Sequence, residues 1–229
     1  MLELLKEKVY KANMRLRDEG LVVLTWGNAS AFDPETGLVV IKPSGVSYAL
    51  LKPSDLVVVD LDGKVVEGSM RPSSDTPTHI ELYRNFNGVF GAVHTHSFEA
   101  TARAQAAREI VCYGTTHADC FYGDVPVTRM LTKDEVESDY ETNTGKVIVE
   151  RFRDLDPLAV PGVLVAGHGP FTWGTDVNKA VDVAVTLEAI AKMARYTEQT
   201  SAKLLPEYVL EKHYSRKHGP NAYYGQKII

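Results

Sequence analysis

The sequence predicts one mixed α/β domain covering residues 1–229. Three observations lead there. Short β-branched segments in the first third are separated by Gly, Asp and Pro turn signals, as in sheet strands joined by tight turns rather than by helical crossovers. Longer segments carry apolar residues at helical spacing. No internal repeat, linker or low-complexity tract divides the chain, and a chain this long can bury about 70% of its unfolded surface in one core.

The elements follow in order. Leu2, Leu5, Val9 and Leu16 recur at near-helical spacing in a charged background, and Gly20 suits a C′ position, so the chain opens on an amphipathic helix. Strands are expected at 21–25, 38–42 and 56–59. Asp75 or Thr76 can cap a helix with Pro77 near its first turn, and Ile80, Tyr83 and Phe86 form its apolar stripe. A strand at 91–96 and an alanine-rich helix at 98–107 come next. Thr132 with Glu135 reads as a capping box, and 162–166 as a strand. Val177, Val181, Ala184, Leu187, Ala191 and Ala194 mark a long helix over 176–200, whose small residues suit close packing on a sheet. A shorter helix at 206–218 is closed by Gly219, and the remaining tail is irregular.

Composition excludes several function classes. With 25 Lys and Arg against 30 Asp and Glu, the net charge is −5, which disfavours binding nucleic acid through bulk positive charge. The tail is locally basic: Lys212, Arg216, Lys217 and Lys227 occur without a side-chain carboxylate, a pattern suited to a phosphate or to a solvated terminus. Cys112 and Cys120 have no metal-type spacing and are expected to be free thiols in a reducing cytoplasm. The first residues lack the apolar core of a signal peptide, and no apolar run approaches the roughly 18 residues that span a bilayer. A cytoplasmic protein that neither spans nor binds a membrane is the expectation.

The chemistry is concentrated in the histidines. His94 and His96 are two residues apart in a predicted strand, so both point to one face and could reach one ion at about 2.0–2.1 Å. His168 lies in AGHGPFTWG, between two glycines and just after an apolar strand. A third imidazole there would complete a zinc site with an open position for a substrate oxygen. The alternatives are a solvent-facing strand edge for His94 and His96 and a hydrogen bond within a turn for His168. His79, His117, His213 and His218 lack this geometry.

Three loops combine small residues with anion donors: TWGNAS at 25–30, KPSG at 42–45 and RPSSDTPTH at 71–79. Lys42 offers a cation, Asn28 an amide, Ser44, Ser73 and Ser74 hydroxyls, and Gly45 an open backbone N–H. Each loop could equally be an ordinary turn, and none matches a Walker or dinucleotide fingerprint. Asp75, Asp119, Tyr223 and Tyr224 are candidate ligands or proton carriers, with turn capping and packing as the alternatives.

Taken together, TWGNAS, IKPSG, SSDTPTH, GAVHTHS, GTTHAD, FYG, PGVLVAGHGPFTWG and KHYSRKHGPNAYYGQ resemble, in order and over nearly the whole chain, the class II aldolase and adducin-head family. The likeness is strongest to its L-ribulose-5-phosphate 4-epimerase members. The resemblance implies a single domain with a central, largely antiparallel sheet flanked by helices, in a homotetramer with sites between adjacent subunits. It makes His94, His96 and His168 ligands of one Zn2+ per subunit, with Asp75 a fourth ligand or an immediate neighbour. Aldolase relatives carry a glutamate at the Asp75 position, and the shorter side chain argues against copying its proton-transfer role.

Asn28, Lys42, Ser44, Gly45, Ser73 and Ser74 become the phosphate pocket in this reading. Asp119 and Tyr224 match an acid–base pair, Tyr224 coming from a neighbouring subunit. Thr115, Glu141 and His213 match residues around that pocket, His213 reaching phosphate across the interface. The implied substrate is a phosphorylated pentulose, and the implied reaction inverts C4 between L-ribulose 5-phosphate and D-xylulose 5-phosphate, serving L-arabinose or ascorbate breakdown. The C4 hydrogen is not acidic, so inversion is expected through cleavage of C3–C4, rotation of the aldehyde and re-addition. Two alternatives are a class II sugar-phosphate aldolase, such as one acting on L-fuculose 1-phosphate, and a non-catalytic assembly protein.

Overall fold

Alternation of side chains along short valine-rich strands determines how this sheet is covered. In the strands that pair Val39 with Val59 and Val40 with Val58, Val39 and Val59 enter one apolar cluster while Val40 and Val58 enter another on the opposite face. A sheet buried on both faces needs helices on both, and it has them. The computed structural model describes residues 2–226, so Lys227 lies outside the described residues.

Seven strands form one sheet: β1 (Asn28–Asp33), β2 (Leu38–Ile41), β3 (Val57–Asp60), β4 (Val65–Glu67), β5 (Gly91–His94), β6 (Gly162–Leu164) and β7 (Pro170–Gly174). Their order is β4-β3-β2-β1-β5-β7-β6, and every ladder is antiparallel. One isolated parallel bridge joins Val127 to Leu164.

α1 (Glu3–Asp18) covers one face through Val9, Ala12 and Leu16, and ends at Gly20 with φ 71° and a Leu21 N–H bond to Leu16 O. α2 (Thr76–Asn85) and α6 (Tyr140–Arg151) pack together on the other face, where Ile80, Tyr83 and Phe86 are buried as their spacing predicts. α3 (Phe98–Gln105) and α4 (Thr115–Ala118) follow, and α5 (Lys133–Ser138) starts at the Thr132–Glu135 capping box. α7 (Val177–Thr197) is capped by Asp176, and its whole expected apolar stripe is buried. α8 (Glu207–Ser215) packs on α4.

Three expectations need correction. Residues 21–25 form no strand: the segment turns through Leu24 at φ 54°, and β1 at Asn28–Asp33 takes the place between β2 and β5. The strand expected at 91–96 stops at His94, and the helix expected at 206–218 stops at Ser215, with a turn before Gly219. Residues 21–25 have suitable propensity but no ladder partner, whereas the other two elements end where the chain brings His96 to the other imidazoles and Arg216 to Asp119.

The topology places the site. β1 begins where β2 and β5 end and β7 starts, since Asn28 pairs with His94, His94 with Phe171 and Ser30 with Ile41. Asn28, Lys42, His94 and the loop leading into Pro170 therefore meet at one end of the sheet.

Candidate metal centre and active site

His94 is the last residue of β5, and its ring stacks on Phe171 of β7 with centroids 4.2 Å apart. Its Nδ1 lies 3.0 Å from the Pro170 carbonyl oxygen. A carbonyl can only accept, so Nδ1 carries the proton and Nε2 presents its lone pair, the tautomer a metal ligand needs. The chain leaves the sheet after His94 and carries His96 to a ring–ring distance of 4.9 Å. His168, from the loop before β7, has its ring 4.7 Å from His94 and 5.1 Å from His96. Candidate ligand atoms of the three imidazoles all lie within 4.8 Å of one another. Nitrogens sharing one tetrahedral ion at about 2.0–2.1 Å each stand roughly 3.4 Å apart, a spacing that this bound accommodates.

Close backbone approach allows this convergence. A Cβ at Gly169 would sit 2.9 Å from the Thr95 carbonyl, and one at Gly27, where φ is 92°, would sit 2.8 Å from the His94 carbonyl. Electrostatics favour a cation. Burial and the neighbouring imidazoles push His168 down to about 3, and burial with His94 lowers His96, so both rings stay neutral with lone pairs available. The Tyr140 hydroxyl lies 3.3 Å from His168 Nδ1 and can orient that ring.

Asp75, at the start of α2, faces the imidazoles. Burial raises its carboxyl pKa, but His94, His79 and the Asn28 amide outweigh this and hold it below the ordinary value. Asn28 Nδ2 donates to Asp75 Oδ2 at 2.7 Å and to Ser73 Oγ at 3.0 Å. Asn28 Oδ1 is buried without a partner, leaving an acceptor for a ligand. Behind this layer His79 is fully buried, with Nδ1 2.7 Å from Ser30 Oγ, which in turn lies 2.6 Å from the Tyr83 hydroxyl. Three imidazoles with a carboxylate alongside form a donor set suited to a divalent ion.

The expected phosphate loops line the same cleft. Its volume is about 410 Å³, and Asn28, Lys42, Ser44, Gly45, Ser73 and Ser74 border it together with Asp75, the three histidines and Glu141. Lys42 is 2% exposed and forms no ion pair among the described residues. Its Nζ has only the Pro43 carbonyl at 3.4 Å and the face of Tyr48 at 4.9 Å. Burial pushes its pKa down to about 8. A buried cation without an anion is costly unless a ligand supplies one. Tyr48 also donates its hydroxyl to the Gly27 carbonyl at 2.8 Å, tying two of the loops together.

The remaining candidates sit elsewhere in the chain. Asp119, just after α4, binds Arg216 through two hydrogen bonds of 3.0 and 2.6 Å, Lys217 at 3.2 Å and His213 at 3.1 Å. Asp119 and Tyr224 line a second cavity of about 710 Å³, and Tyr224 is 61% exposed. Thr115 opens α4 and is not among the residues that line the imidazole cleft. The basic tail is thus largely committed: Arg216 and Lys217 serve Asp119, and Lys212 lies over Tyr223 at 5.1 Å. Tyr140 and Tyr48 escaped sequence reasoning because no local spacing marks a tyrosine that meets a loop from another part of the chain.

No helix among the described residues is long and apolar enough to cross a membrane. Residues 7–195 match the class II aldolase and adducin N-terminal domain family. The chain is 56% identical over 228 residues to L-ribulose-5-phosphate 4-epimerase UlaF of Salmonella paratyphi C (strain RKS4594), covering 99% of this chain and 100% of that protein. Its counterpart in Salmonella choleraesuis (strain SC-B67) gives the same identity and coverage. Among solved structures, an L-fuculose 1-phosphate aldolase superposes with a TM-score of 0.78 at 27% identity, over 93% of this chain and 95% of that one. An L-fuculose 1-phosphate aldolase from Glaciozyma antarctica PI12, at 20% identity and TM-score 0.78 over 96% of this chain and 84% of that one, shares the fold. With the sheet, the imidazole cluster and this match over most of its length, the chain belongs to the class II aldolase and adducin N-terminal domain family.

Proposed function

We propose that the protein is a zinc-dependent L-ribulose-5-phosphate 4-epimerase, interconverting L-ribulose 5-phosphate and D-xylulose 5-phosphate. The observation that carries this is one cleft holding three convergent imidazoles beside a buried, unpaired lysine, in a chain 56% identical to such an epimerase over its length. His94, His96 and His168 would hold the ion, with Asp75 as fourth ligand or neighbour. When bound, zinc supplies positive charge for the substrate oxygens at C2 and C3, where negative charge collects once C3–C4 opens.

The other steps fall to the chain's own residues. A base takes the proton of the C4 hydroxyl, the C3–C4 electron pair stays with the C1–C3 fragment, and C4 becomes an aldehyde. Lys42, Asn28 and the Ser44, Ser73 and Ser74 loops retain that aldehyde through its phosphate while it rotates. Re-addition to the opposite face returns the electron pair to a C3–C4 bond, and a second group protonates the new C4 oxygen. Asp119 and Tyr224 fit these proton transfers because the C4 oxygen points in opposite directions before and after rotation. Tyr224 is assigned to the L-ribulose side and Asp119 to the D-xylulose side. Since neither lines the imidazole cleft of its own protomer, a neighbouring subunit of a homotetramer would supply them, with Thr115 and His213 close by. Glu141 would be supplied from within the cleft. A cytoplasmic role in pentose or ascorbate breakdown accords with free thiols and a phosphorylated substrate.

The second reading, an aldolase that releases its aldehyde, is favoured by the likeness to the L-fuculose 1-phosphate aldolase. Incubation of the purified, zinc-replete protein with L-ribulose 5-phosphate separates the two. Accumulation of D-xylulose 5-phosphate without free aldehyde supports epimerisation, and net aldehyde release without inversion supports the aldolase.

A further inference from the structure

The proposed acid–base groups, Asp119 and Tyr224, are 105 positions apart in the sequence, yet two neighbouring side chains, Arg216 and Lys217, each touch both, and Arg216 does so with a bidentate grip. Arg216 sets its guanidinium flat against the Asp119 carboxylate, Nε donating to Oδ1 at 3.0 Å and an Nη donating to Oδ2 at 2.6 Å. The same guanidinium lies over the Tyr224 ring at 5.0 Å. Its main chain completes the link, since the Arg216 carbonyl accepts the amide N–H groups of Tyr223 at 2.9 Å and Tyr224 at 3.0 Å. Nothing in a basic tail requires this arrangement. A surface arginine holding a terminus to the domain needs one carboxylate, not a carboxylate on one edge and an aromatic face above.

From this we infer that Arg216 is a positioning residue of the epimerase, fixing the Asp119 carboxylate and the Tyr224 ring as one rigid unit. The inference rests on the acid–base reading above and names what would make that pair act together. A guanidinium fork accepts a carboxylate in one plane only, so Asp119 loses its side-chain rotation. The Tyr224 ring meets a second cation as well, Lys217, whose Nζ lies 4.3 Å from its centroid.

The charge environment of Asp119 has the same sense. Burial raises its carboxyl, and Arg216, His213 and Lys217 together bring it below the ordinary value. On α4 the titratable neighbour is His117, whose ring is buried beside Phe121. His218 Nε2 lies 3.1 Å from the Asp119 carbonyl. Around the same cavity stand Lys179 and Asp182 of α7, Tyr214 of α8, Cys120, and Asp156 of the loop before β6. The guanidinium is the contact in this set that is both charged at every accessible pH and bidentate.

The test compares Arg216→Lys and Arg216→Ala with the unaltered enzyme, measuring zinc content, oligomeric size, and kcat and KM for L-ribulose 5-phosphate across pH. Arg216→Lys keeps a charge near Asp119 but loses the planar fork. It should retain zinc and size, keep KM within about twofold, and lose at least about tenfold in kcat, the scale of a misplaced proton carrier. When the reaction is run from D-xylulose 5-phosphate, the direction in which Asp119 is the assigned base, the acid limb of its pH profile should move upward. Arg216→Ala should lose more, and millimolar guanidinium should restore part of its kcat without changing KM. A merely structural tether would lower kcat, if at all, through lost zinc or assembly, with no shift of the limb and no rescue. Wild-type kcat and acid limb in Arg216→Lys would overturn the inference, even if Arg216→Ala does not fold. Asp119→Asn in the same assay separates the two levels. Full activity there ends the acid–base reading itself, whereas an inactive Asp119→Asn beside an unaffected Arg216→Lys ends only the role of Arg216.

Discussion

Asn28 stands directly opposite His94 in the β1–β5 ladder, so the sheet holds the first imidazole and the first phosphate-loop amide in fixed register. The proposed metal and phosphate halves of the cleft are therefore rigidly joined, and altering either should be separable in binding but not in turnover.

Replacing His96 with Asn should abolish stoichiometric zinc, measured by elemental analysis after metal-replete purification, and epimerisation with it. Zinc at wild-type level in His96→Asn would contradict the ligand set. Chelation of the unaltered protein should likewise remove activity, with zinc restoring it, and should lower the melting temperature because the ion binds only the folded state.

Tyr224→Phe should keep zinc and substrate affinity yet lose about 10²- to 10⁴-fold in kcat, the usual contribution of a positioned proton carrier. A coupled enzymatic assay for D-xylulose 5-phosphate is sufficient to read this. Turnover within threefold of the parent would place the proton elsewhere.

Lys42 makes a pH prediction of definite sign. Burial holds it at about 8, so it is cationic below that pH and neutral above. KM for the phosphorylated ketose should rise as pH passes through 8. Lys42→Met should raise KM by about 10- to 100-fold at pH 7, the equivalent of about 1.5–3 kcal/mol for a charge-assisted hydrogen bond, and remove that pH dependence. Stability should move the other way. Between about 8 and the ordinary 10.5 the unfolded chain binds the Lys42 proton more readily than the folded one, so this group makes the fold more stable as pH rises through that window. Denaturant titrations of Lys42→Met should lack that increment.

Gly169→Ala should disturb the metal loop, because its Cβ would lie 2.9 Å from the Thr95 carbonyl and 3.6 Å from His94 Cε1. A loss of about 1–3 kcal/mol in stability together with weakened zinc binding is expected. Gly20→Ala is the contrast: at φ 71° with nothing within 4 Å, it should cost about 1 kcal/mol through backbone strain and leave zinc untouched. Thermal melts with metal analysis distinguish the two.

Helices with a full turn of pattern were readable in the sequence. The α7 stripe, the Thr132–Glu135 box and Gly20 each carry a local physical signature, and each is where its signature places it. β1 was hidden because NASAFD has small and polar residues where a strand is usually recognised by bulk, while the neighbouring LVVLT has the bulk and no ladder. In the site, His94 and His96 were marked by their spacing, although the strand stops between them and irregular backbone, not the pleat, completes the approach. Arg216 was unreadable for another reason: its partner Asp119 lies 97 positions away, and a charge in a terminal segment carries no sign of which group it will meet.

α7 contributes to both apolar clusters, Val177, Val181 and Ala184 to one and Leu187, Ile190 and Ala194 to the other. A bolt through both halves of a hinge leaves neither free to open alone. Loss of either core withdraws support from the other, so denaturation should proceed in one cooperative step, with backbone amides of this helix among the last to exchange with solvent.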